Sequence, residues 1–559
     1  MWKRVGLPVM ILSLCACAQP PRVKDVPVEP VASAAATGDI VGTTEPFASE
    51  NVYFVLTDRF VNGDTSNDQR DQGGRYHTFD RPTPGAAPDK TDNIGYLGGD
   101  FRGLLENADY IKEMGFTAVW LTPIVDNPDE AFTGGSDARW DTTMSDRGKT
   151  GYHGYWGVNF YKLDEHLPSA GLGFAELTSG LRAKGLKTVL DVVANHGSPS
   201  FTMPVDQPKY GELYDREGRL IADHQNLPPE QLQPDTNPLH RMFRAEKDLV
   251  QLSNLDDRRP EVMDYLVGAY TQWLDQGADA LRLDTIGHMP HAFWAEFARR
   301  IRAHRPGIFL FGERFAFGPE KIAEHTQVEN GGLSVLDFPL KAAMGKVFEN
   351  PDSDFAEIEP ALFLRNGPYR NVYDLTTFYD NHDMARLKAS DEGFINANNL
   401  LFTVRGIPVL YYGSEMGFMR GTPEHQGNRN YFGIEGIAAA RQSIIREKLM
   451  RIAKVRRDTP ALQRGVQINI EFAGNRAAFY RILQHQGTEQ IALVLLNKGN
   501  APETFSIDAL AQPGRWKSAI DGRERVIDGP VQLRVGPHDV EVLVHNGPVT
   551  ASDLLAALQ

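Results

Sequence analysis

Short apolar runs alternate with amphipathic stretches along the chain from about residue 51 onward. Runs that are apolar at nearly every position are typical of strands that are covered on both faces. The amphipathic stretches between them have helical spacing, and several end at a glycine, which commonly terminates a helix. Repeated strand–helix units over about 400 residues predict an α/β fold, a (β/α)8 TIM barrel. The predicted strands are 52–56, 118–122, 188–193, 280–284, 308–311 and 408–412, and the predicted helices are 104–114, 174–184, 261–276 and 291–304.

Two regions depart from this alternation. After the third predicted strand, about fifty residues are polar, rich in proline and only weakly periodic, as functional insertions are. We therefore predict a barrel at 46–455 that carries an inserted loop domain (domain B) at 196–253. Beyond about residue 460, apolar and polar positions alternate in short runs, which predicts a C-terminal antiparallel β-sandwich at 456–545. The last residues, 546–559, form a short tail.

The first twenty residues resemble an export signal. Charged residues at 1–4 precede an apolar run at 5–14 that is too short to span a bilayer as a helix. Both cysteines of the chain, Cys15 and Cys17, follow this run. The remaining chain therefore has no disulfide and no thiolate chemistry, and we predict that the protein is exported.

The residues that end at Cys17 read Leu-Cys-Ala-Cys and resemble the cleavage box of bacterial lipoproteins, with Cys17 as the lipidated residue. This resemblance predicts a signal peptide at 1–17, a flexible linker at 18–45, and membrane contact only through the lipid anchor. The next residue is Ala18 rather than Asp, which by the same resemblance predicts the outer membrane, on its periplasmic or outer face. The alternative is a plain signal peptide that is cut near Ala18.

Composition narrows the class of protein. The chain has 559 residues, 41% of them hydrophobic and 23% charged, as in globular proteins. Its formal net charge of −15 argues against nucleic acid as a partner, because nucleic-acid contacts need clustered Lys and Arg. An acidic surface suits neutral substrates and cations but does not choose between them.

Four acidic side chains each close or follow a predicted barrel strand. These are Asp191, Asp284, Glu313 and Asp383, and Arg282 lies two residues before Asp284. In this class of barrel the carboxyl ends of the strands carry the chemistry. One such acid is compatible with an ordinary ion pair at the barrel rim, but four at four strand ends predict an active site.

The segments around these acids resemble the four signature segments of the α-amylase family, glycoside hydrolase family 13. They read Asp-Val-Val-Ala-Asn-His at 191–196, Gly-Ala-Asp-Ala-Leu-Arg-Leu-Asp at 277–284, Gly-Glu-Arg-Phe at 312–315 and Phe-Tyr-Asp-Asn-His-Asp at 378–383. The resemblance extends over roughly 50–545, and it implies an enzyme that cleaves α-glucosidic bonds with retention of configuration. Supporting segments lie at 115–124, 151–156 and 406–413.

The resemblance also implies roles for individual residues. Retention needs one carboxylate that attacks the anomeric carbon and a second carboxyl group that protonates the leaving oxygen and then activates water. Asp284 is implied as the nucleophile, Glu313 as the general acid/base, and Asp383 as the residue that orients sugar hydroxyls. Further residues are implied to bind substrate or to support the site: Arg282, His196, His382, Tyr155, His153, Trp156 and Asp191.

One or two calcium ions are the implied cofactors, since Ca²⁺ prefers several oxygen ligands. The resemblance places one ion between the barrel and the insertion, on Asn195, Asn254 and the backbone carbonyl of His288. Asn254 stands where many relatives have Asp, which predicts a site that is weaker or empty. The second site resembles the N-terminal calcium loop of cyclodextrin glucanotransferases, and its alternative is an Asx-rich turn without metal. Its ligands are Asn62, Asp64, Asn67, Asp68, Gly98 and Asp100.

Hydrolysis of α-1,4-glucans or maltooligosaccharides is the favoured function, with an α-glucan as the partner. Transglycosylation or the opening of cyclic dextrins is the alternative, because the N-terminal loop and the insertion resemble the cyclodextrin glucanotransferase branch. Three features argue against that branch: Val250 stands where those transferases have an aromatic residue, Gly287 stands where many relatives have Lys, and one β domain follows the barrel.

A function outside the enzymes is a non-catalytic glycan-binding lipoprotein on a decayed barrel. Such a protein would be expected to lose its nucleophile or its acid/base. Asp284, Glu313 and Asp383 are all present, so this alternative is disfavoured.

Overall fold

The computed structural model describes residues 39–72 and 75–559. The predicted signal peptide, Cys17 and most of the predicted linker lie outside these residues. The folded unit begins at Ile40, within the predicted linker, because the backbone of Ile40 pairs with that of Gln484. Among the described residues, no helix is both long and apolar enough to cross a bilayer.

Eight parallel strands form a closed barrel, as predicted. They pair in chain order, and the last strand lies beside the first. A parallel bridge between Leu336 and Thr376 closes the ring between the sixth and seventh strands. These two strands have only two residues each, too few for a pattern of apolar residues to reveal them. The strands are β1 (Val52–Val55), β2 (Ala118–Leu121), β3 (Lys187–Val192), β4 (Ala280–Leu283), β5 (Phe309–Gly312), β6 (Ser334–Val335), β7 (Thr376–Thr377) and β8 (Ile407–Tyr411).

The longer helices that follow barrel strands each bury one apolar face. In the longest helix, Val262, Leu266, Ala269 and Trp273 are spaced three or four residues apart and are all buried. The chain turns back after this helix at Gly277, whose φ of +106° suits glycine. The helices are α1 (Thr57–Phe60), α2 (Phe101–Glu106), α3 (Ala108–Glu113), α4 (Phe174–Ala183), α5 (Pro260–Asp275), α6 (His291–His304), α7 (Pro319–Ala323), α8 (Phe338–Phe348), α9 (Asp391–Leu401), α10 (Gly433–Ala440), α11 (Ile444–Arg457) and α12 (Pro460–Arg464).

Three long connections lie at the carboxyl ends of the strands, where only the insertion after β3 was predicted as a domain. In that insertion, His196–Pro199 pairs with Leu252–Asn254, and Glu212–Tyr214 pairs with Leu220–Asp223. A second connection joins β2 to α4 at residues 122–173, and a third joins α1 to α2 at residues 61–100. Residues of the second connection line the cleft at this end of the barrel.

The C-terminal region is an antiparallel β-sandwich, as predicted. A six-stranded sheet in the order β9-β10-β11-β16-β13-β14 packs on the pair β12-β15 around a separate core that includes Trp516 and Phe505. The tail forms helix α13 (Ser552–Ala557), and Leu554 is buried in this core. The strands are β9 (Val466–Ala473), β10 (Arg476–His485), β11 (Thr488–Asn497), β12 (Glu503–Ile507), β13 (Gly514–Ser518), β14 (Glu524–Ile527), β15 (Val531–Val535) and β16 (Asp539–Asn546).

Candidate active site

A cleft opens at the carboxyl end of the barrel. Asp284 directly follows β4, Glu313 directly follows β5, and Asp383 lies six residues after β7. Parallel strands in a barrel bring their carboxyl ends to one rim, so acids that are far apart in sequence converge there. The cavity has a volume of about 410 Å³, and its lining includes Tyr155, His196, His382 and the three acids.

Arg282 binds three carboxyl groups at the floor of the cleft. Its buried guanidinium donates from Nη1 to Asp284 Oδ1 at 2.7 Å and to Asp191 Oδ1 at 2.9 Å. Its Nη2 lies 2.9 Å from Glu313 Oε2. Arg282 and Asp284 point to the same side because alternate residues of a strand share a face. One cation thus holds the predicted nucleophile and the predicted acid/base on adjacent nitrogens.

Glu313 is set up as a proton donor. Burial raises its pKa to about 8; the Arg282 cation opposes this rise, and the negative charges of Asp383 and Asp284 add to it. Within the described part of the chain, Glu313 Oε1 has no hydrogen-bond partner. At neutral pH the carboxyl group is therefore protonated, with one oxygen free to meet a leaving group.

Asp191 supports the other residues of the site. Its Oδ2 accepts hydrogen bonds from the Tyr155 hydroxyl at 2.8 Å and from Trp120 Nε1 at 3.0 Å, while Oδ1 accepts from Arg282. Each oxygen of Asp191 is thus engaged inside the protein. Through these contacts Asp191 holds Arg282 and the Tyr155 hydroxyl in place.

Aromatic and imidazole side chains line the wall above Asp383. The Tyr155 and His382 rings stack at 5.2 Å with an angle of 5° between them, and His382 Nε2 lies 3.1 Å from Asp383 Oδ2. Burial lowers the pKa of both His382 and His196, which are neutral at pH 7 and can donate to or accept from sugar hydroxyls.

His153 and Trp156 lie mainly behind this wall. His153 Nδ1 accepts a hydrogen bond from the Tyr155 backbone N–H at 3.1 Å. The Trp156 ring contacts His153 edge to face and packs with Phe132 and Tyr210 in a small apolar cluster. Trp156 is only 4% exposed, and both Trp156 and His153 contribute to the lining of the cleft.

A buried ion network that the sequence analysis missed continues from Asp383. Arg429 donates from Nη2 to Asp383 Oδ1 at 2.9 Å, and its Nη1 lies 3.0 Å from Glu424 Oε1. Lys149 Nζ lies 2.7 Å from the same Glu424 oxygen and 2.9 Å from Asp146 Oδ1. Burial acts to raise the pKa of Glu424, but Arg429 and Lys149 together lower it well below the usual range. These residues lie in loops outside the signature segments, and no signal in a single sequence marks them.

Arg314, the residue after Glu313, covers Gly287 in the cleft. A Cβ atom added to Gly287 would lie 2.1 Å from Arg314 Nη1 and 2.5 Å from its Cδ. Both residues line the cleft, next to the Phe315 ring, which is 54% exposed. Because Gly287 has no side chain, the guanidinium of Arg314, which follows β5, can lie against it.

The predicted calcium loop after β1 supplies amide and carboxylate oxygens of the kind that Ca²⁺ binds. Within residues 39–72 and 75–559, however, no three Asp, Glu, His or Cys side chains are placed to hold an ion together. Asn62 Oδ1 and Asn67 Oδ1 are buried and have no hydrogen-bond partner within residues 39–72 and 75–559. Asp68 approaches Asn62, whose Nδ2 donates to Asp68 Oδ1 at 2.7 Å, and Asp64 and Asp100 add carboxylates nearby. Gly98 is packed so closely that a Cβ would lie 2.2 Å from Asn62 Nδ2. Carboxylate and amide oxygens in this number are ligands that Ca²⁺ prefers.

The predicted site between barrel and insertion offers one buried oxygen without a partner in the described residues, Asn195 Oδ1, but its other implied ligands do not suit Ca²⁺. Asn195 and Asn254 meet through a hydrogen bond of 3.4 Å from Asn195 Nδ2 to Asn254 Oδ1, and both are neutral. The His288 carbonyl, the third implied ligand, accepts hydrogen bonds from the Arg244 guanidinium. A divalent ion must lose water to bind, and negatively charged ligands normally compensate for that loss. These three ligands include no carboxylate, and the Arg244 cation beside them would repel the ion.

Comparisons with known proteins identify the family of the chain. The family model of the alpha amylase catalytic domain matches residues 54–464. A cyclomaltodextrin glucanotransferase from Bacillus licheniformis is 29% identical over 459 residues, which cover 79% of this chain and 58% of the relative. An alpha-amylase from Niallia circulans is 28% identical over 503 residues, 86% of each chain.

Among solved structures, CldA, described as a cyclomaltodextrin glucanotransferase with a three-domain ABC distribution, superposes with a TM-score of 0.72 at 29% identity. The match covers 89% of this chain and 99% of CldA. This chain spans less than two thirds of the length of the Bacillus licheniformis relative. The family model covers well over half of the chain, and the signature acids meet in one cleft. The chain therefore belongs to the α-amylase family.

Proposed function

We propose that the protein is a retaining α-glucan hydrolase that cleaves α-1,4-glucosidic bonds in starch or maltooligosaccharides. The observation that carries this proposal is the pairing of Asp284 and Glu313 on adjacent nitrogens of Arg282, and the pKa of Glu313, raised to about 8 by burial, suits a proton donor. Two carboxyl groups on one guanidinium favour the separation of about 5–5.5 Å found in retaining enzymes over the wider gap of inverting ones.

The reaction proceeds in two steps on these residues. Asp284 attacks the anomeric carbon while Glu313 gives its proton to the glycosidic oxygen, so the bond to the leaving glucan breaks as a glycosyl ester forms. Glu313, now a carboxylate, then takes a proton from water, which attacks the same carbon and releases Asp284. Asp383, placed by Arg429 and His382, accepts hydrogen bonds from hydroxyls of the distorted sugar.

One Ca²⁺ is proposed for the loop after β1. When bound, the ion neutralises the carboxylates of the loop and holds it against α2. Its ligands would be the side chains of Asn62, Asp64, Asn67, Asp68 and Asp100, with the carbonyl of Gly98. The loop lies away from the reacting groups, so its part in the mechanism is structural.

Transglycosylation is a second candidate, and the acceptor side of the cleft supports it. Phe315 and Arg314 follow Glu313 and present an exposed ring and a guanidinium where an acceptor sugar would bind. A ring that stacks on a sugar and a donor that binds its hydroxyls would both help a glucan to compete with water. Val250, an aliphatic residue in the same cleft, favours hydrolysis. The single β domain no longer argues against a transferase, since CldA is described as having three domains.

The products decide between the two candidates. Purified protein is incubated with soluble starch, maltoheptaose, pullulan and β-cyclodextrin, with calcium or chelator, and the products are separated while reducing ends are counted. New reducing ends with short maltooligosaccharides support the hydrolase, and redistributed chain lengths without new reducing ends support the transferase. If neither occurs with wild-type protein, both fail, and a glycan-binding function takes their place.

We also propose export and lipid attachment at Cys17, from the amino-terminal pattern alone. The test is to express the full chain in a bacterium that lipidates its own lipoproteins and to label it with palmitate. Label in wild type that is lost in Cys17→Ser supports the anchor. An unlabelled, exported protein would leave the plain signal peptide as the correct interpretation.

A further inference from the structure

Arg244 lies where the inserted segment meets the barrel. Its Nη1 and Nη2 each donate to the His288 carbonyl at 3.2 Å, and Nη2 also donates to Asp257 Oδ1 at 2.7 Å. Nη1 lies 3.4 Å from Asp248 Oδ2, and the Arg244 side chain is only 14% exposed. The guanidinium thus links the insertion to the loop after β4 and to the start of α5.

The carboxylates that contact Arg244 at this junction already have partners within the protein. Asp248 and Asp257 both pair with Arg244, and Asp248 Oδ1 also lies 2.9 Å from His288 Nδ1. The residues implied as calcium ligands, Asn195 and Asn254, contribute no charge. A divalent ion at the His288 carbonyl would sit beside a fixed positive charge and find no free carboxylate.

We propose that the Arg244 guanidinium is the resident cation of this junction and stands in place of a calcium ion. Arg244 is a positioning residue: it orients Asp248 and His288, and the residues next to Asp248, Leu249 and Val250, form one wall of the cleft. The insertion is therefore held on the barrel without a metal. This inference rests on the contacts of Arg244 and is independent of which reaction the cleft performs.

Calcium stoichiometry tests the first half of the proposal. Protein carrying Asn62→Ala and Asn67→Ala, which remove two donors of the loop after β1, is stripped with chelator and dialysed against calcium, and bound calcium is measured by mass spectrometry. We expect no stoichiometric calcium on this variant. If one equivalent remains and is lost on adding Asn254→Ala, a calcium ion occupies the junction and the proposal is wrong.

Substitution of Arg244 tests the second half. Arg244→Ala leaves Asp248, Asp257 and the His288 carbonyl without their donor, so we expect the thermal midpoint to fall by about 5 °C or more. Cleavage by protease within 200–250 should become roughly tenfold faster, because the insertion detaches locally. Arg244→Lys should recover at least part of both losses, since it keeps the positive charge.

The matched control is Arg241→Ala, three residues earlier. Arg241 pairs with Glu261 on the surface and is 59% exposed, and exposed pairs contribute little. We expect a shift below about 2 °C and no change in proteolysis within the insertion. Equal effects of Arg241→Ala and Arg244→Ala, or no rescue by Lys, would overturn the proposed role.

A gain of metal binding completes the test. The double variant Arg244→Ala/Asn254→Asp removes the internal cation and adds a carboxylate to the same ligand set, in the background without the loop site. We expect this variant to bind one calcium ion and to regain thermal stability when calcium is added, whereas Arg244→Lys/Asn254→Asp gains neither. Failure of the double variant to bind calcium while it remains folded by circular dichroism would contradict the replacement of one cation by the other.

Discussion

Arg429 Nη2 donates a hydrogen bond of 2.9 Å to Asp383 Oδ1, and Arg429 Nη1 is held by Glu424 at 3.0 Å. Asp383 is therefore oriented by a cation that comes from a loop 46 residues further along the chain. Burial raises the pKa of Asp383, and Arg429 opposes this rise. Arg429 therefore favours the ionised form of Asp383 and fixes the position of its carboxylate.

Loss of this cation should impair turnover. We expect Arg429→Ala to lower kcat/KM on maltoheptaose by roughly 100-fold, because a misplaced or protonated Asp383 no longer binds the distorted sugar. Arg420→Ala is the control, since Arg420 pairs with Asp391 at 2.7 Å on the surface of the same loop region. Steady-state kinetics of both variants check the prediction, and equal losses would contradict it.

Activity should fall on the alkaline side as Glu313 ionises. The pKa of Glu313 is raised by burial to about 8, so kcat/KM should lose activity as pH rises through about 8. A pH profile measured on maltoheptaose tests this. An alkaline limb that begins below pH 6 would show that Glu313 is not the proton donor.

The same shift predicts how stability depends on pH. The ordinary pKa of a glutamate side chain is 4.5 and that of Glu313 is about 8, so between these values the folded state binds more protons than the unfolded state. Stability from this group is complete below pH 4.5 and is lost as pH rises through 8. Glu313→Gln does not ionise and so does not lose this stability. The thermal midpoint of the variant minus that of wild type should therefore become more positive as pH rises from about 5 to about 9. A constant difference between the two proteins would contradict the raised pKa.

A side chain at Gly287 should displace Arg314. The Cβ of Gly287→Ala would lie 2.1 Å from Arg314 Nη1, which is the end of a flexible side chain and can move aside. We therefore expect little loss of stability and a KM for maltoheptaose that is roughly three to ten times higher, as in Arg314→Ala, if Arg314 binds the leaving portion of the glucan. Gly345→Ala, where a Cβ meets no atom within 4 Å, is the control. Unchanged kinetics in both Gly287→Ala and Arg314→Ala would exclude Arg314 from substrate binding.

Gly98 should be required for calcium binding by the loop after β1. Its φ is +86°, and a Cβ would lie 2.2 Å from Asn62 Nδ2 and 2.5 Å from Asp68 Oδ1. Gly98→Ala should therefore abolish the thermal stabilisation that calcium gives to wild type, as isothermal calorimetry and melting curves can show. Gly171→Ala has a similar strain, with φ +73°, but open space around it. It should lose stability by backbone strain alone and keep its response to calcium.

The barrel and its central acids could be predicted from the sequence. Six of the eight strands are apolar runs long enough to recognise, and a parallel barrel brings every strand end to one rim. The predicted roles of Asp284 and Glu313 rest on a resemblance of short segments to a family, and local spacing along β4 and β5 explains only why both side chains face the cleft. Strands β6 and β7 could not be predicted, since each has two residues.

Only the tertiary structure decided what surrounds those acids. Arg429 contacts Asp383 from a loop 46 residues further along the chain, and Glu424 joins Arg429 to Lys149, which is 275 residues away from Glu424 in sequence. Arg244 reaches the His288 carbonyl across the junction of the insertion and the barrel. Loop paths depend on long-range packing, and no periodicity records them. The sequence by itself determined the barrel and the acids at its strand ends, because strand geometry is local. The fold decided which cations orient those acids and hold the insertion. A charge acts on groups within a few ångströms of it, whatever their distance along the chain.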